Sequence, residues 1–173
     1  MKFRNLLIVC VALCPWGCNQ KGGVTSRIKA AKKGLSADKE FQITLEDSCP
    51  VCGMRVSDYE KYACGIQLQD GRFFYTCGTE CLVRVFLDPE THLAVSSTHC
   101  ERFYVQEFFS GEVVDARETS MVAGSDFIGP MGRTVAPVDP DHVDVFIRRH
   151  GGNRVFQLTE LTKEEWKSLS RKP

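Results

Sequence analysis

The sequence predicts an α+β protein built from two successive ββα units and a short C-terminal helix. Short apolar segments with the composition of strands are separated by turns that contain glycine, and segments with apolar residues at helical spacing follow them. The Gly-Arg pair at 132–133 can be aligned with the pair at 71–72, and this alignment sets His142 against Cys81. These observations suggest a structural repeat within one domain.

The first residues are typical of a bacterial secretion signal. Lys2 and Arg4 precede an apolar stretch that runs from Leu6 to about Cys14. This stretch is shorter than the roughly 17–25 residues that span a bilayer, so a retained transmembrane helix is not expected.

Gly17 and Cys18 follow the apolar stretch and resemble the lipobox of bacterial lipoproteins. We therefore predict that residues 1–17 are a signal peptide and that Cys18 is lipidated as the new N-terminus; the alternative is ordinary cleavage nearby. A diacylated cysteine anchors a protein stably to a membrane. Because Asn19 is not the aspartate that marks inner-membrane retention in many lipoproteins, the outer membrane is slightly favoured for a periplasm-facing protein.

Residues 18–40 are predicted to form the lipidated cysteine and a flexible basic tether, since they are polar and have little apolar periodicity. Residues 41–173 are then one domain, long enough for its own core. Without residues 1–17 the chain has 20 basic and 22 acidic residues. This balance argues against nucleic acid as a partner.

The first ββα unit is predicted over 63–76 and the helix that follows. Apolar segments flank the Asp-Gly pair at 70–71, which is a strong hairpin signal. Apolar residues then recur at helical spacing from Leu82 to Phe86, and Pro89 ends this helix.

A second pair of strands is predicted over 102–116, with Gly111 near its turn. A helix follows, because Asp139 can cap it and Pro140 suits its first turn, and the glycines at 151–152 end it.

The last strand is predicted over 154–158. The final helix begins at Thr162, where Glu165 completes a capping box.

Six cysteines follow Cys18, and four of them have the spacing of a metal-binding knuckle. The series is Cys49-x2-Cys52-x24-Cys77-x3-Cys81. The first pair precedes the hairpin and the second pair begins a helix, which is the arrangement that gathers four thiolates around one tetrahedral ion in treble-clef proteins. Placement at a helix N-terminus also favours the thiolate form.

The other two cysteines, Cys64 and Cys100, have no metal spacing. An exported protein with an even number of cysteines can also carry disulfides. We expect these two either to form a disulfide or to remain as buried thiols.

The segment CPVCGM at 49–54, followed by DGRFFYTCGTECLVRVFLDPE, resembles the YHS or TRASH metal knuckle. The wider chain is similar to the NosL family, the lipoprotein accessory factors of nitrous oxide reductase. This resemblance rests on the lipobox-like start, on CPVCGM, on SGEVVDARETSMVAGSDFIGPMG and on HVDVFIRRHGGNRVFQLTEL.

The resemblance implies two related ββα units of treble-clef type and a periplasm-facing Cu(I)-binding protein. Such a protein delivers copper for assembly of the catalytic cluster of nitrous oxide reductase. In that family CysX2CysGlyMet is the firm element, whereas a second pair like Cys77 and Cys81 is not general. This chain is therefore expected to hold copper or, alternatively, a structural Zn(II) in a four-cysteine knuckle that serves protein–protein contact or metal sensing.

Methionine separates these alternatives, because Cu(I) accepts thioether sulfur whereas Zn(II) rarely does. Met54 follows the first knuckle, and Gly53 allows a tight turn before it. Met131 lies in the GPMG segment at 129–132 and is a further candidate contact. Both methionines are open to the alternative of simple packing.

His99 and His142 are weaker candidate ligands, each more often a surface or core histidine. The chain is not expected to be an enzyme. A redox dithiol of thioredoxin type belongs between a strand and a helix, whereas the pair Cys49 and Cys52 precedes a hairpin. The sequence contains no HExxH motif, no phosphate-binding glycine loop and no Ser/His/Asp ordering.

Overall fold

The computed structural model describes residues 28–133 and 135–170, without the side chains of Arg133 and Ser170. The predicted signal peptide, Cys18 and residues 19–27 of the predicted tether lie outside this part of the chain. Among the described residues, no helix is both long enough and apolar enough to cross a membrane.

The first ββα unit consists of a four-stranded antiparallel sheet and the helices that follow its first hairpin. A 3-10 segment over Val56–Tyr62 precedes it. The strands lie in the order β2-β1-β3-β4. The elements are β1 (Cys64–Leu68), β2 (Phe73–Thr76), α1 (Thr79–Leu87), α2 (Pro89–Leu93), β3 (Cys100–Gln106) and β4 (Val113–Asp115). The hairpin predicted over 63–76 and the pair predicted over 102–116 are confirmed.

The second unit has a three-stranded sheet in the order β8-β5-β9 and a separate two-stranded hairpin. Its elements are β5 (Ser120–Ser125), β6 (Ile128–Gly129), β7 (Gly132–Arg133), β8 (Ala136–Val138), α3 (Val143–His150), β9 (Gly151–Gln157) and, after it, α4 (Lys163–Ser170). The short hairpin of β6 and β7 is an insertion between the first two strands of this sheet.

The two units repeat one topology. In each, the first strand occupies the centre of three, the second strand pairs on one side, and a strand that follows the helix pairs on the other side: β2-β1-β3 and β8-β5-β9. The two predicted ββα units are confirmed. The strands of the second unit are β5 and β8, however, whereas the pair predicted over 102–116 belongs to the first sheet.

Strand β5 was not predicted because both of its faces are buried. Met121 and Ala123 pack in the core of the first unit, while Val122 packs in a second cluster with Phe146 of α3. A strand covered on both faces lacks polar alternation, so periodicity does not reveal it. Strand β8 contains Pro137, which fits its place at the edge of the sheet.

Residues 28–40 correct the prediction of a flexible tether over this range. The backbone N–H of Ala31 donates to the carbonyl of Phe73 on β2 at 2.7 Å, and the hydroxyl of Tyr75 donates to the carbonyl of Gly34 at 2.7 Å. Leu35 forms a bridge with Phe41. The segment thus lies against the outer strand of the first sheet, and its apolar residues contribute to the core, which composition alone does not indicate.

The caps of the last two helices agree with the sequence. The Asp139 side chain accepts a hydrogen bond from the Asp141 N–H and opens a 3-10 turn that leads into α3. At the start of α4, the Thr162 N–H donates to Glu165, and the Glu165 N–H donates to the Thr162 hydroxyl. This is the predicted capping box.

Candidate metal centre

The first cysteine pair lies in a tight turn between residues 48 and 55. The Cys49 N–H donates to the carbonyl of Met54 at 2.8 Å, and the Gly53 N–H donates back to the carbonyl of Cys49 at 2.8 Å. Gly53 has φ +78°, a left-handed conformation that favours glycine. The turn therefore folds Cys49 and Cys52 toward the same side, as the sequence predicted.

The second pair lies where β2 passes into α1. Cys77 follows the last residue of β2, and Cys81 is in the first turn of α1, which spans Thr79–Leu87. Gly78 occupies the N-cap position with an extended backbone. Because glycine has no side chain, it supplies no side-chain cap. Backbone N–H groups at the start of a helix favour the thiolate form. In the metal-free cluster, however, hydrogen bonds to Cys49 and burial outweigh this effect for Cys77 and Cys81.

The structure brings these four cysteines into one cluster. Their Sγ atoms all lie within 4.8 Å of one another, with 3.4 Å between Cys52 and Cys77 and 3.7 Å between Cys77 and Cys81. Three of the side chains are buried, whereas Cys52 is only half-buried. Over residues 28–133 and 135–170, these are the only His, Cys, Asp or Glu side chains that form such a group.

Ionisation of the cluster is shared unequally among its sulfurs. The pKa of Cys49 is lowered far below its ordinary value, mainly because Cys77 and Cys81 donate hydrogen bonds to its thiolate. The pKa values of Cys77 and Cys81 are raised, first because each donates to Cys49, and their burial adds to the increase. Several thiolates this close together require a cation to balance their charge.

The donor set fits a soft or borderline metal ion. Four sulfurs placed tetrahedrally at about 2.3 Å from one ion are about 3.8 Å apart. The sulfurs of this cluster are already at comparable separations. Thiolates bind both Cu(I) and Zn(II) well, so the sulfur positions by themselves fit either ion.

Both predicted methionines pack against the hydrophobic cluster that contains Cys49, Cys77 and Cys81. Met54 follows the knuckle turn, and Met131 comes from the turn of the β6–β7 hairpin, 77 positions farther along the chain than Met54. Each side chain is half-buried. The two thioethers and Cys52 are thus the more accessible sulfurs of the site, while the other three thiols are enclosed.

Two contacts that the sequence analysis missed connect the start of α1 with the β6–β7 hairpin and with the segment that follows it. A Cβ placed on Gly78 would lie 3.3 Å from Cδ of Pro130, which shows how closely the hairpin approaches the backbone next to Cys77. The Thr79 hydroxyl donates a buried 2.6 Å hydrogen bond to the carbonyl of Val135. A glycine directly after a candidate ligand was the one signal of such a close approach.

Cys64 and Cys100 are two separate buried thiols, so the disulfide alternative is wrong. In the antiparallel pairing of β1 with β3, Cys100 lies opposite Leu68, four residues along β1 from Cys64. Four residues of strand span about 14 Å. A disulfide requires Cα atoms closer than about 7 Å.

Neither candidate histidine joins the cluster. His99 is exposed at the end of a 3-10 turn before β3. His142 is exposed at the start of α3, where its ring contacts Phe109 with 5.8 Å between centroids. The alignment that set His142 against Cys81 correctly matched the two helix starts, but the second unit has no sulfur cluster at this position.

A large groove lies away from the sulfurs. Its volume is about 1010 Å³, and it is lined by residues 38–43, 60–61, Gln106 and 110–114. No cysteine or methionine lines it. The sulfur site is instead a compact cluster that reaches the surface at Cys52.

Fold and site together define a small α+β protein with a cysteine cluster able to hold a metal ion. The NosL family model matches residues 40–166, and the chain belongs to the NosL family. The crystal structure of the copper chaperone NosL from Shewanella denitrificans is similar in fold, with a TM-score of 0.61 and 21% identity. The match covers 75% of this chain and 99% of that one. No curated protein matches the chain by sequence.

Proposed function

We propose that this protein is a membrane-anchored, periplasm-facing Cu(I) chaperone that delivers copper for assembly of the cluster of nitrous oxide reductase. The single observation that carries the proposal is the uneven exposure of the sulfur cluster. Three thiols are enclosed, whereas Cys52 is half-buried, and two half-buried methionines pack against the hydrophobic cluster that contains the enclosed thiols. A site for cargo needs an accessible ligand that a partner can replace.

The buried sulfurs and the accessible sulfurs have different tasks in this proposal. Cys49, Cys77 and Cys81 hold the ion away from water and oxidants, since their side chains are at most 2% exposed. Cys52 anchors the ion at the surface side. Met54, with Met131 as a further contact, is the sulfur that is released first, because a neutral thioether binds more weakly than a thiolate.

Family membership and the sequence support the same function. The neighbour of known structure is described as a copper chaperone, and this chain has its fold. The predicted signal peptide and lipidated Cys18 would place the domain on the outside of a membrane, in the compartment that the family resemblance implies. The protein then binds and transfers an ion and does not catalyse a reaction.

Metal analysis is the first test. The full chain is purified from periplasm and membranes under anaerobic, reducing conditions, its metals are measured, and its Cu(I) affinity is obtained by competition with a chromophoric chelator. We expect copper, or a metal-free protein that takes up Cu(I) tightly. A protein that retains Zn(II) and does not exchange it for Cu(I) would contradict the proposal.

Transfer to the partner is the second test. The copper-loaded chain is mixed with copper-free nitrous oxide reductase, and copper in the separated reductase is measured. We expect transfer from the wild-type protein and much less from Cys52→Ser. Equal copper uptake from the chain and from free Cu(I) buffered to the same activity would show that delivery does not need this protein.

A structural Zn(II) knuckle is the second candidate function, and a specific observation favours it. The sulfur separations suit a tetrahedral ion, and three of the four side chains are buried as in closed structural sites. In that case the metal stabilises the fold and the protein serves contact with another protein or metal sensing. A chelator would then unfold the domain, whereas removal of a cargo ion would leave it folded.

A further inference from the structure

A short sulfur–sulfur separation joins the half-buried cysteine to a buried one. Cys52 Sγ lies 3.4 Å from Cys77 Sγ, compared with 3.7 Å between Cys77 and Cys81. A disulfide bond is about 2.05 Å long, so a relative movement of little more than 1 Å would join Cys52 to Cys77. Sequence spacing alone would instead point to Cys49 and Cys52 as a Cys-x2-Cys pair.

We propose that Cys52 is a thiol–disulfide exchange site with Cys77 as its resolving cysteine, which closes the metal-free site as a reversible disulfide. The reacting partner is a disulfide, of a protein or of a small thiol. This inference concerns the metal-free form of the proposed copper site, and it holds for any metal that the thiolates bind.

The exchange takes place in two steps. The Cys52 sulfur attacks one sulfur of the partner disulfide RSSR, so a mixed disulfide Cys52–SR forms and the first RSH leaves. The Cys77 sulfur then attacks the Cys52 sulfur, so the Cys52–Cys77 bond forms and the second RSH leaves. The two cysteines lose two electrons and two protons, and RSSR gains them as two thiols.

Access decides which cysteine reacts first. An incoming disulfide must reach the attacking sulfur, and Cys52 is the only cysteine in the described residues that is not buried. Cys52 precedes the exposed Gly53 in the knuckle turn, where the chain can adjust, whereas Cys77 is fully buried directly after β2. Cys64 and Cys100 are enclosed in a separate part of the core.

The disulfide would make metal uptake depend on reduction. Oxidation removes two of the four thiolates, so the remaining sulfurs can no longer surround an ion. A metal ion already bound would protect the site, because its ligand sulfurs are not free to attack. Loading of the oxidised protein would then require a dithiol reductant.

The test uses the full chain, made metal-free and reduced under anaerobic conditions. It is treated with oxidised glutathione, free thiols are alkylated, and trypsin is added. Cys49 and Cys52 share the peptide 40–55, whereas Cys77 and Cys81 share the peptide 73–84. We expect a cross-link between these two peptides that fragmentation assigns to Cys52 and Cys77. A disulfide within one peptide, a link to another cysteine or no disulfide would overturn the proposal.

Two variants identify the order of the steps. Cys77→Ser should accumulate glutathione on Cys52, because the resolving sulfur is missing, while the matched control Cys100→Ser should form the same cross-link as the wild type. If Cys77→Ser does not fold, the wild-type peptide map still decides. Oxidised wild type should lose Cu(I) binding and recover it with a dithiol; unchanged binding would contradict closure of the site.

The outcome is independent of the proposed function. Reduced protein that binds no Cu(I) yet forms the cross-link would reject the chaperone and keep the exchange site. Tight Cu(I) binding without the cross-link would keep the chaperone and reject the exchange site.

Discussion

The hydroxyl of Thr79 donates a 2.6 Å hydrogen bond to the backbone carbonyl of Val135, and both groups are buried. Thr79 is the second residue after Cys77, and Val135 is the fourth residue after Met131. The bond therefore connects α1 of the first unit to the chain segment that follows the β6–β7 hairpin of the second, which carries Met131. This connection holds the two parts of the candidate site together.

Replacement of Thr79 tests this connection. Thr79→Val keeps the shape but leaves the Val135 carbonyl without this donor, so we expect the free energy of unfolding to fall by about 1–3 kcal/mol. Thr79→Ser retains the hydroxyl and is the matched control, with a smaller loss. Denaturant unfolding of the metal-free proteins measures both values. Equal stability of the two variants would show that the hydrogen bond is not important.

Met54 is predicted to bind Cu(I) as the exchangeable ligand. Met54→Leu keeps volume and apolar character, so the free energy of unfolding should change by less than about 1.5 kcal/mol. Affinity for Cu(I) should nevertheless fall, and with it the yield of copper-loaded nitrous oxide reductase in a host that depends on this protein. Cys52→Ser should lower both further. Competition titrations and metal analysis of the reductase provide these measurements.

The control for this prediction is Met121→Leu, which replaces a fully buried methionine of β5. It should leave Cu(I) affinity unchanged. Met131→Leu should weaken binding if its thioether contacts the ion. Unchanged affinity and unchanged maturation in Met54→Leu would mean that this methionine only packs, and structural zinc would then be favoured.

Cys77 and Cys81 distinguish a structural site from a cargo site. If one ion joins all four cysteines as part of the fold, Cys77→Ser or Cys81→Ser should unfold or strongly destabilise the domain, because metal binding then contributes to folding. Cys100→Ser replaces a buried thiol outside the cluster and controls for loss of a core sulfur. Circular dichroism melts, together with Cu(I) titrations, distinguish a structural site from a cargo site. Normal folding with full copper affinity in these variants would show that Cys77 and Cys81 are not part of the metal site.

The lowered pKa of Cys49 predicts a thiolate in the metal-free protein at neutral pH. Because the folded-state pKa lies below the ordinary value of 9.0, its contribution to stability is complete above pH 9 and is lost progressively as the pH falls toward the folded-state pKa. Thiolate ultraviolet absorbance should persist in mild acid and disappear in Cys49→Ser. Absorbance that first develops near pH 9 would contradict this prediction.

Membrane attachment through Cys18 remains a prediction from the sequence. Cys18→Ser should release the processed protein from membranes, because the tether and the nearly neutral domain offer no other strong attachment. Cell fractionation measures this. A processed variant that stays in the membrane fraction would show that the lipoprotein assignment is wrong.

Local signals predicted most of the first unit and the limits of the helices. The Asp-Gly turn at 70–71, the helix after it and the capping box at Thr162 depend on neighbouring residues, and each is present in the structure. Strand β5 was missed because it is buried on both sides by distant segments. Residues 28–40 were expected to be free because their packing against β2 depends on the finished sheet.

The sequence by itself determined the family, the repeat of two ββα units without the correct strands of the second, and the four cysteines of the candidate site, because spacing and turn residues act over short stretches of chain. Only the tertiary structure decided that Cys52 is the accessible thiol, that its sulfur lies 3.4 Å from that of Cys77, and that Met131 packs against the hydrophobic cluster that contains the other three cysteines. It also separated Cys64 from Cys100 by the length of a strand. These relations depend on how the two units pack together and on the strand register, which residue order alone does not specify.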